Sequence, residues 1–288
     1  MKILLFGGAG QLGFEIQKRA FDLDFEVVSP VLSEVDITNE HQVTFLSQKV
    51  RADLVINCAA YTAVDKAETD QEEAYKINRD GAAVVARAAR EVGSRMIHIS
   101  TDYVFDGTAS APISESHPTN PINVYGASKL AGEIEVQNVL GNRALVVRTS
   151  SLHGQRGENF VHTMVKLFTE REVVKVVNDQ WMSATWAGWL AEAVLDLGRT
   201  DCHGLVHASC AGALTWYDFA AAILQQVQEK NEAARRCKLE PTTAQAFARP
   251  ARRPQYSVFD CTRLTTLLGR KPISWQDGLR SHLREIGY

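Results

Sequence analysis

A chain of 288 residues exceeds one average domain and falls short of three. Hydrophobic residues at 45% and charged residues at 23% exclude wholesale disorder, and a formal net charge of −3 speaks against a nucleic-acid or anionic-membrane partner. No apolar run approaches the roughly 18 residues of a membrane span. The short apolar stretch after Lys2 is too brief for a secretory signal. Five cysteines (Cys58, Cys202, Cys210, Cys237 and Cys261) lie scattered without CxxC spacing, a reduced-compartment pattern with neither a disulfide framework nor a zinc site. The expectation is a soluble cytoplasmic protein.

In chain order, aliphatic runs over residues 3–6, 26–29, 54–57, 96–100 and 144–149 read as buried strands. Amphipathic stretches over 11–21, 40–49, 71–92 and 124–138 read as the helices between them. Apolar strands alternating with helices predict an α/β fold, a doubly wound parallel sheet of Rossmann type. Beyond residue 149 the rhythm loosens. Helices are expected over 159–169, 186–198, 216–230 and 276–286, short strands over 173–177 and 205–208, and an irregular loop over 241–254. We therefore expect a dinucleotide-binding domain over residues 1–150. A smaller substrate-binding domain over 151–288 would return part of its chain to the sheet, with a ligand in the cleft between them.

Gly7-Gly8-Ala9-Gly10-Gln11-Leu12-Gly13 follows the first strand and opens a helix. Glycines at 7, 10 and 13 allow a tight turn and let backbone approach a pyrophosphate at the positive helix end. A ligand-free strand-to-helix turn is the bland alternative. The second strand ends Val27-Val28-Ser29-Pro30-Val31, with neither the carboxylate that grips a ribose 2′-hydroxyl nor an arginine for a 2′-phosphate. Glu34 falls too far past the strand end, and Asp36-Ile37 is expected at the adenine edge. The balance favours NADPH, with NADH tolerated.

Tyr125-Gly126-Ala127-Ser128-Lys129 places a phenol and an ammonium at i and i+4 on one helix face. A neighbouring ammonium favours the phenolate and lowers a pKa otherwise near 10. An exposed tyrosine beside a solvated lysine is the alternative. Ser100-Thr101-Asp102-Tyr103 ends the fourth strand on the ligand-binding edge of the sheet. There Thr101 suits polarising a carbonyl, while Asp102 suits tuning the site or bonding a substrate hydroxyl. The competing reading is a plain strand-end cap.

Together the glycine loop, Ala59-Ala60-Tyr61-Thr62-Ala63-Val64-Asp65-Lys66-Ala67-Glu68, Ser100–Gly107 and Tyr125–Glu133 resemble the extended short-chain dehydrogenase/reductase superfamily. Within it they resemble the dTDP-4-dehydrorhamnose reductases. Asn178-Asp179-Gln180, Thr215-Trp216-Tyr217-Asp218 and Pro250-Ala251-Arg252-Arg253-Pro254 extend the likeness to about residue 278. The resemblance implies reduction of the 4-keto group of a dTDP-linked 6-deoxyhexose with NADPH or NADH, by a soluble enzyme that can be a homodimer. It implies Tyr125 as proton donor, Lys129 as its partner, and sugar contacts from Thr101, Asp102, Tyr103, the Ser151 position and Arg252. Dinucleotide contacts are implied for Gly7, Gly10, Gln11, Leu12, Gly13, Asp36, Ile37, Ala60, Tyr61, Thr62, Tyr125 and Lys129. Arg252 and Arg253, held between prolines, also suit a phosphate on chemical grounds, with a solvated basic loop as the alternative.

The chain departs from that pattern. Arg148-Thr149-Ser150-Ser151-Leu152-His153-Gly154 has serine where the family often has a tryptophan against the sugar, and histidine where tyrosine is usual. Trp181 is the expected replacement wall. Some family members bridge dimers with magnesium. Glu15 occupies one such place, but Gly188 stands where a second acid would be, so no metal is predicted. Rival readings are a nucleotide-sugar epimerase or dehydratase of the same superfamily, and a non-catalytic nucleotide-binding regulatory subunit.

Overall fold

The computed structural model describes residues 1–23 and 25–288. Lys2–Phe6 forms β1, whose side chains alternate between two buried faces, Ile3 and Leu5 on one and Leu4 and Phe6 on the other. Burial on both faces is what a helix-covered parallel sheet requires. After β1 come α1 (Gln11–Asp22), β2 (Glu26–Val28), α2 (Glu40–Val50), β3 (Leu54–Asn57) and the short α3 (Val64–Ala67). A longer helical stretch follows, α4 (Gln71–Tyr75) running through a π segment, Lys76–Gly81, into α5 (Ala82–Glu91). Then β4 (Arg95–Thr101) ends in a 3-10 turn, Asp102–Val104, and α6 (Val124–Leu140) leads to β5 (Ala144–Thr149).

The second half opens with β6 (Leu152–His153), α7 (Phe160–Glu170), β7 (Val173–Val177), β8 (Trp181–Met182) and β9 (Thr185–Trp186). It continues with α8 (Ala187–Gly198), β10 (Gly204–His207), β11 (Leu214–Thr215), α9 (Trp216–Lys230) and α10 (Glu232–Arg236). Last come β12 (Lys238–Thr242), β13 (Tyr256–Ser257), α11 (Thr262–Leu268) and α12 (Trp275–Glu285).

Six parallel strands lie in the order β10-β5-β4-β3-β1-β2. The order reverses between β1 and β3, so the crevice beyond the carboxyl ends of these two strands is the place for a ligand. One face packs on α1, α8 and Leu264 of α11, the other on α2, α5 and the Val136 and Leu140 side of α6. A third core joins α7, α9 and α12 through Phe168, Phe219, Ile223 and Leu283.

Among the elements anticipated from the sequence, three differ. The helix expected over 71–92 carries the π segment, where Asn78 turns inward and is almost wholly buried. Its Oδ1 accepts from Tyr61 N at 2.8 Å, and its Nδ2 donates to Tyr61 O at 3.1 Å and to Ser128 Oγ at 2.9 Å. One extra residue per turn inside a helix is a common device near functional sites. The loop expected from 241 begins inside β12, which pairs only with β7, and an edge strand tolerates Pro241 because its missing N–H faces no partner. Trp186 ends β9 and caps α8 instead of lying within the helix.

Candidate active site

A cleft of about 760 Å³ opens at the carboxyl ends of the sheet, from residues 30–32 past the glycine loop to Thr101 and Tyr125. Gly7 sits at φ +81, and a Cβ there would lie 2.5 Å from Ala59 N, so side chains are excluded between β1 and β3. A Cβ at Gly13 would lie 2.3 Å from Gly7 O, whereas at Gly10 the nearest atom is 3.4 Å away. The loop is therefore tight against the protein and open toward the cleft at Gly10. Helix α1 starts there without a side-chain cap and without an acidic residue in its first turn, leaving its N–H donors and positive end for an anion. These features fit a dinucleotide pyrophosphate. Among the described residues lining the cleft, Lys129 is the only lysine or arginine.

Tyr125 stands in the first turn of α6. Asn123 caps that helix, its Oδ1 accepting from Gly126 N at 2.7 Å, while Glu68 Oε1 accepts from Val124 N at 2.9 Å. Gly126 presses on the 3-10 turn, for a Cβ there would lie 2.1 Å from Tyr103 O. This contact sets the phenol beside the strand-end residues. The Tyr103 and Tyr125 rings meet edge-on with centroids 5.4 Å apart. Burial pushes the Tyr125 phenol above its ordinary pKa, the Thr101 hydroxyl pulls the other way, and Asp102 and Tyr103 add to the rise. Sequence reasoning expects the ammonium to lower this pKa, but in the free chain desolvation dominates, so the phenol holds its proton at neutral pH. A protonated phenol is what donation to a carbonyl oxygen needs.

One helical turn on, Lys129 is buried and donates from Nζ to Ile99 O at 2.6 Å. Burial brings its pKa down to about 8, against the opposing pull of Glu133 and Cys58. Below it Glu133 accepts from Arg148 Nε at 2.8 Å and Nη2 at 2.6 Å, a buried pair spanning α6 and β5. Asp102 lies 4% exposed, with Ser150 Oγ donating to its Oδ2 at 2.8 Å and Thr101 Oγ1 to its Oδ1 at 3.1 Å. Burial raises its pKa, and hydrogen bonds from Ser257, Ser150 and Thr101 oppose that rise.

Of the residues singled out from the sequence, Gly7, Gly10, Gln11, Leu12, Gly13, Asp36, Ile37, Ala60, Thr62, Thr101, Asp102, Tyr103, Tyr125, Lys129 and Ser151 all line this cleft. Two stand outside the lining. The Tyr61 phenol donates to Asp70 Oδ2 at 3.2 Å, and Arg252 is exposed with its carbonyl accepting from Asn123 Nδ2 at 2.8 Å. Arg253 forms a two-point ion pair with Asp65, 2.9 Å at each nitrogen. Ser151 adopts φ +45, an uncommon left-handed conformation for serine. Trp181, the expected replacement wall, lies 44% exposed on β8 between β11 and β13 and is not among the residues lining the cleft. Sequence reasoning missed Gly157 and Glu158, which line the cleft opposite Gln11. Asn159 holds that loop, donating from Nδ2 to Gly154 O at 2.9 Å and Gln11 Oε1 at 3.2 Å. The paired glycines at 154 and 157 were the available signal.

The Glu15 carboxylate is buried and paired with Arg19, which also bonds Glu192 at 3.1 Å and packs over Gly188. No cluster suited to a metal occurs among the described residues. No helix of the structure is long and apolar enough to cross a membrane.

The sequence model of the RmlD substrate binding domain matches residues 1–287. A dTDP-4-dehydrorhamnose reductase of Escherichia coli K12 is 37% identical over 99% of this chain and 98% of its own. A dTDP-4-keto-6-deoxy-D-glucose reductase of Streptomyces niveus is also 37% identical, over 88% of this chain and 87% of its own. Among solved structures, the dTDP-4-dehydrorhamnose reductase of Bacillus anthracis, crystallised in complex with NADP, superposes with a TM-score of 0.92. It is 37% identical and covers 99% of both chains. With its doubly wound sheet, its open glycine cradle and a match that runs nearly end to end, this chain belongs to the RmlD substrate-binding-domain family of nucleotide-sugar reductases.

Proposed function

We propose that the protein reduces the 4-keto group of a dTDP-4-dehydro-6-deoxyhexose with NADPH, its substrate being dTDP-4-dehydro-L-rhamnose and its product dTDP-L-rhamnose. The observation that carries this reading is the convergence of Tyr125, Lys129 and Thr101 at one end of the cleft whose other end is the glycine cradle. The NADP found in the Bacillus anthracis relative supports the cofactor. NADH is used as well, since the cleft lining holds no arginine for a 2′-phosphate. The reading includes a cytoplasmic homodimer, with residues 1–150 holding the dinucleotide and 151–288 mainly the sugar nucleotide.

The backbone at Gly7, Gly10 and Gly13 and the start of α1 hold the pyrophosphate, and Asp36 and Ile37 flank the adenine edge. Bound there, the reduced nicotinamide supplies a hydride. Tyr125 gives its proton to the carbonyl oxygen, Thr101 polarises that oxygen, and Lys129 steadies the phenolate left behind. The side chains of Asp102, Tyr103 and Ser151 face the sugar.

Following NADPH absorbance with dTDP-4-dehydro-L-rhamnose generated in place tests this directly. Replacing Tyr125 with Phe is expected to leave cofactor binding intact and to cut turnover by roughly 10²–10⁴, the usual share of general acid catalysis. Near-normal turnover in that variant overturns the assignment. A second reading has one observation in its favour. Ser151 removes bulk from the cleft wall, and a relative of equal identity is named for dTDP-4-keto-6-deoxy-D-glucose. The same assay run with that ketone decides between the two sugars.

A further inference from the structure

Three histidines from three elements meet behind the loop that faces Gln11 across the cleft. His153 ends β6, His162 stands in the first turn of α7, and His282 lies in the last turn of α12. His153 Nδ1 lies 3.0 Å from His282 Nδ1, and His282 Nε2 lies 3.3 Å from His162 Nε2. His162 Nδ1 in turn lies 3.0 Å from the carbonyl oxygen of Gly157. A carbonyl only accepts, so His162 carries its hydrogen on Nδ1. The Asn159 amide does not displace it, for its two hydrogens point to Gly154 O at 2.9 Å and Gln11 Oε1 at 3.2 Å. A neutral His162 then accepts at Nε2, so His282 donates from Nε2 and accepts at Nδ1 from His153. One carbonyl thus fixes all three tautomers, and each N–H points toward the loop. His153 Nε2 is left as a bare acceptor, buried without a partner among the described residues.

Among the described residues no lysine, arginine or carboxylate is bonded to these rings. Phe219 of α9 packs on His153, the Gly154 carbonyl faces His282, and the charges bearing on both rings come from the other histidines. The charged side chains of the surrounding elements are engaged elsewhere. Arg156 lies over the Phe14 ring, Glu285 of α12 accepts from Lys18 and Trp186, and Asp218 of α9 is held by Thr215. Burial keeps His153 and His282 uncharged, so a solvent proton arrives at the half-buried His162. Taken up at Nε2, it meets the N–H of His282 across 3.3 Å, a gap with room for one hydrogen. The ring must turn out, and Gly157 loses its donor. Gly157 lines the cleft beside the glycine cradle and packs on Gln11, whose Cγ would lie 3.1 Å from a Cβ there. We propose that neutral His162, oriented by His282 and His153, is a positioning residue that clasps the Gly157 loop over the bound dinucleotide, and that a proton on His162 opens the clasp. The proposal rests on the reading of the cleft as an NADPH site. Ordering the loop over the dinucleotide expels the proton, so affinity for NADPH falls as pH falls through the range in which histidines ordinarily titrate.

The test is the dissociation constant of NADPH, read from its fluorescence on binding, between pH 8 and pH 6 for wild type, His162→Asn and His162→Ala. Asparagine places an amide nitrogen where Nδ1 stood and takes up no proton. The 2′-phosphate of NADPH titrates alike in all three proteins and cancels from the comparison. Wild type is expected to lose about threefold or more in affinity over that interval, beyond any change in the variants. His162→Ala should bind more weakly than wild type at pH 8, and asparagine should recover part of that loss. Hydrogen exchange of the amides at 155–158, corrected for its intrinsic pH dependence, should quicken at pH 6 in wild type while β3 and β4 stay protected. That pattern separates local release from unfolding. Equal pH profiles in wild type and His162→Asn overturn the proposal, and the asparagine variant decides this alone if His162→Ala does not fold. Tighter binding by wild type at pH 6 also overturns it, since the ring would then serve as a cation for the pyrophosphate. Failure of the cofactor reading shows separately, as wild type that binds no NADPH at pH 8, and it removes the proposal with it.

Discussion

Lys129 holds an ammonium group 2% exposed, with one carbonyl as its hydrogen-bond acceptor. Its pKa in the folded chain is about 8 against an ordinary 10.5. Below pH 8 both folded and unfolded chains keep the proton, and the folded state bears the full desolvation cost, on the order of 3 kcal/mol. Between about 8 and 10.5 the folded chain releases the proton first, so that cost fades as pH rises. Lys129→Met should therefore be more stable than wild type at pH 7, with the gap closing toward pH 10.5, while its turnover collapses. Urea midpoints of the two proteins across that range check the sign. The pairing of Tyr125 with Lys129 was readable in the sequence because both lie on one helix face. The hydroxyl shell of Asp102 was not. Ser150 and Ser257 reach it from β5's end and from β13, and no local spacing announces such a meeting.

At the scale of elements, α6 is aimed by two glycines. A Cβ at Gly126 would strike Tyr103 O at 2.1 Å, and one at Gly132 would strike Asn78 O at 2.1 Å in the π segment. Backbone carbonyls cannot yield as a side chain would. Gly126→Ala should therefore tilt the helix start, costing about 1–3 kcal/mol of stability and at least tenfold in kcat through displacement of the phenol. Intact turnover with a normal melting temperature would refute that. The five regular strands and their helices were readable because apolar periodicity persists over whole elements. The π segment escaped notice, since a single wide turn leaves the surrounding 3.6-residue pattern nearly unchanged. Two-residue strands such as β8 and β13 carry no period to detect.

Across the whole molecule, several histidines are buried. His153 Nδ1 lies 3.0 Å from His282 Nδ1, and the His207 ring stacks on Phe259 with centroids 4.2 Å apart. Burial lowers the pKa of His153 and brings His282 and His207 down to about 3. The unfolded chain takes up protons near 6.5, where the folded chain refuses them, so stability falls as pH drops from 6.5 toward 3. Urea midpoints should decline steadily over that interval, and His153→Tyr should flatten the slope. A midpoint independent of pH above 4 would refute this.

The sixth strand of the main sheet has a further consequence, one of timing. β10 pairs with β5, yet residues 150–203 separate them in the chain. Ribosomes add roughly 5–20 residues each second, so the flank of β5 waits several seconds for its neighbour during synthesis. Through that interval a strand buried along its whole length in the finished protein offers a bare row of peptide groups. The nascent chain is thus most vulnerable to wrong partners while it is between two and three quarters made, before Gly204 has left the ribosome.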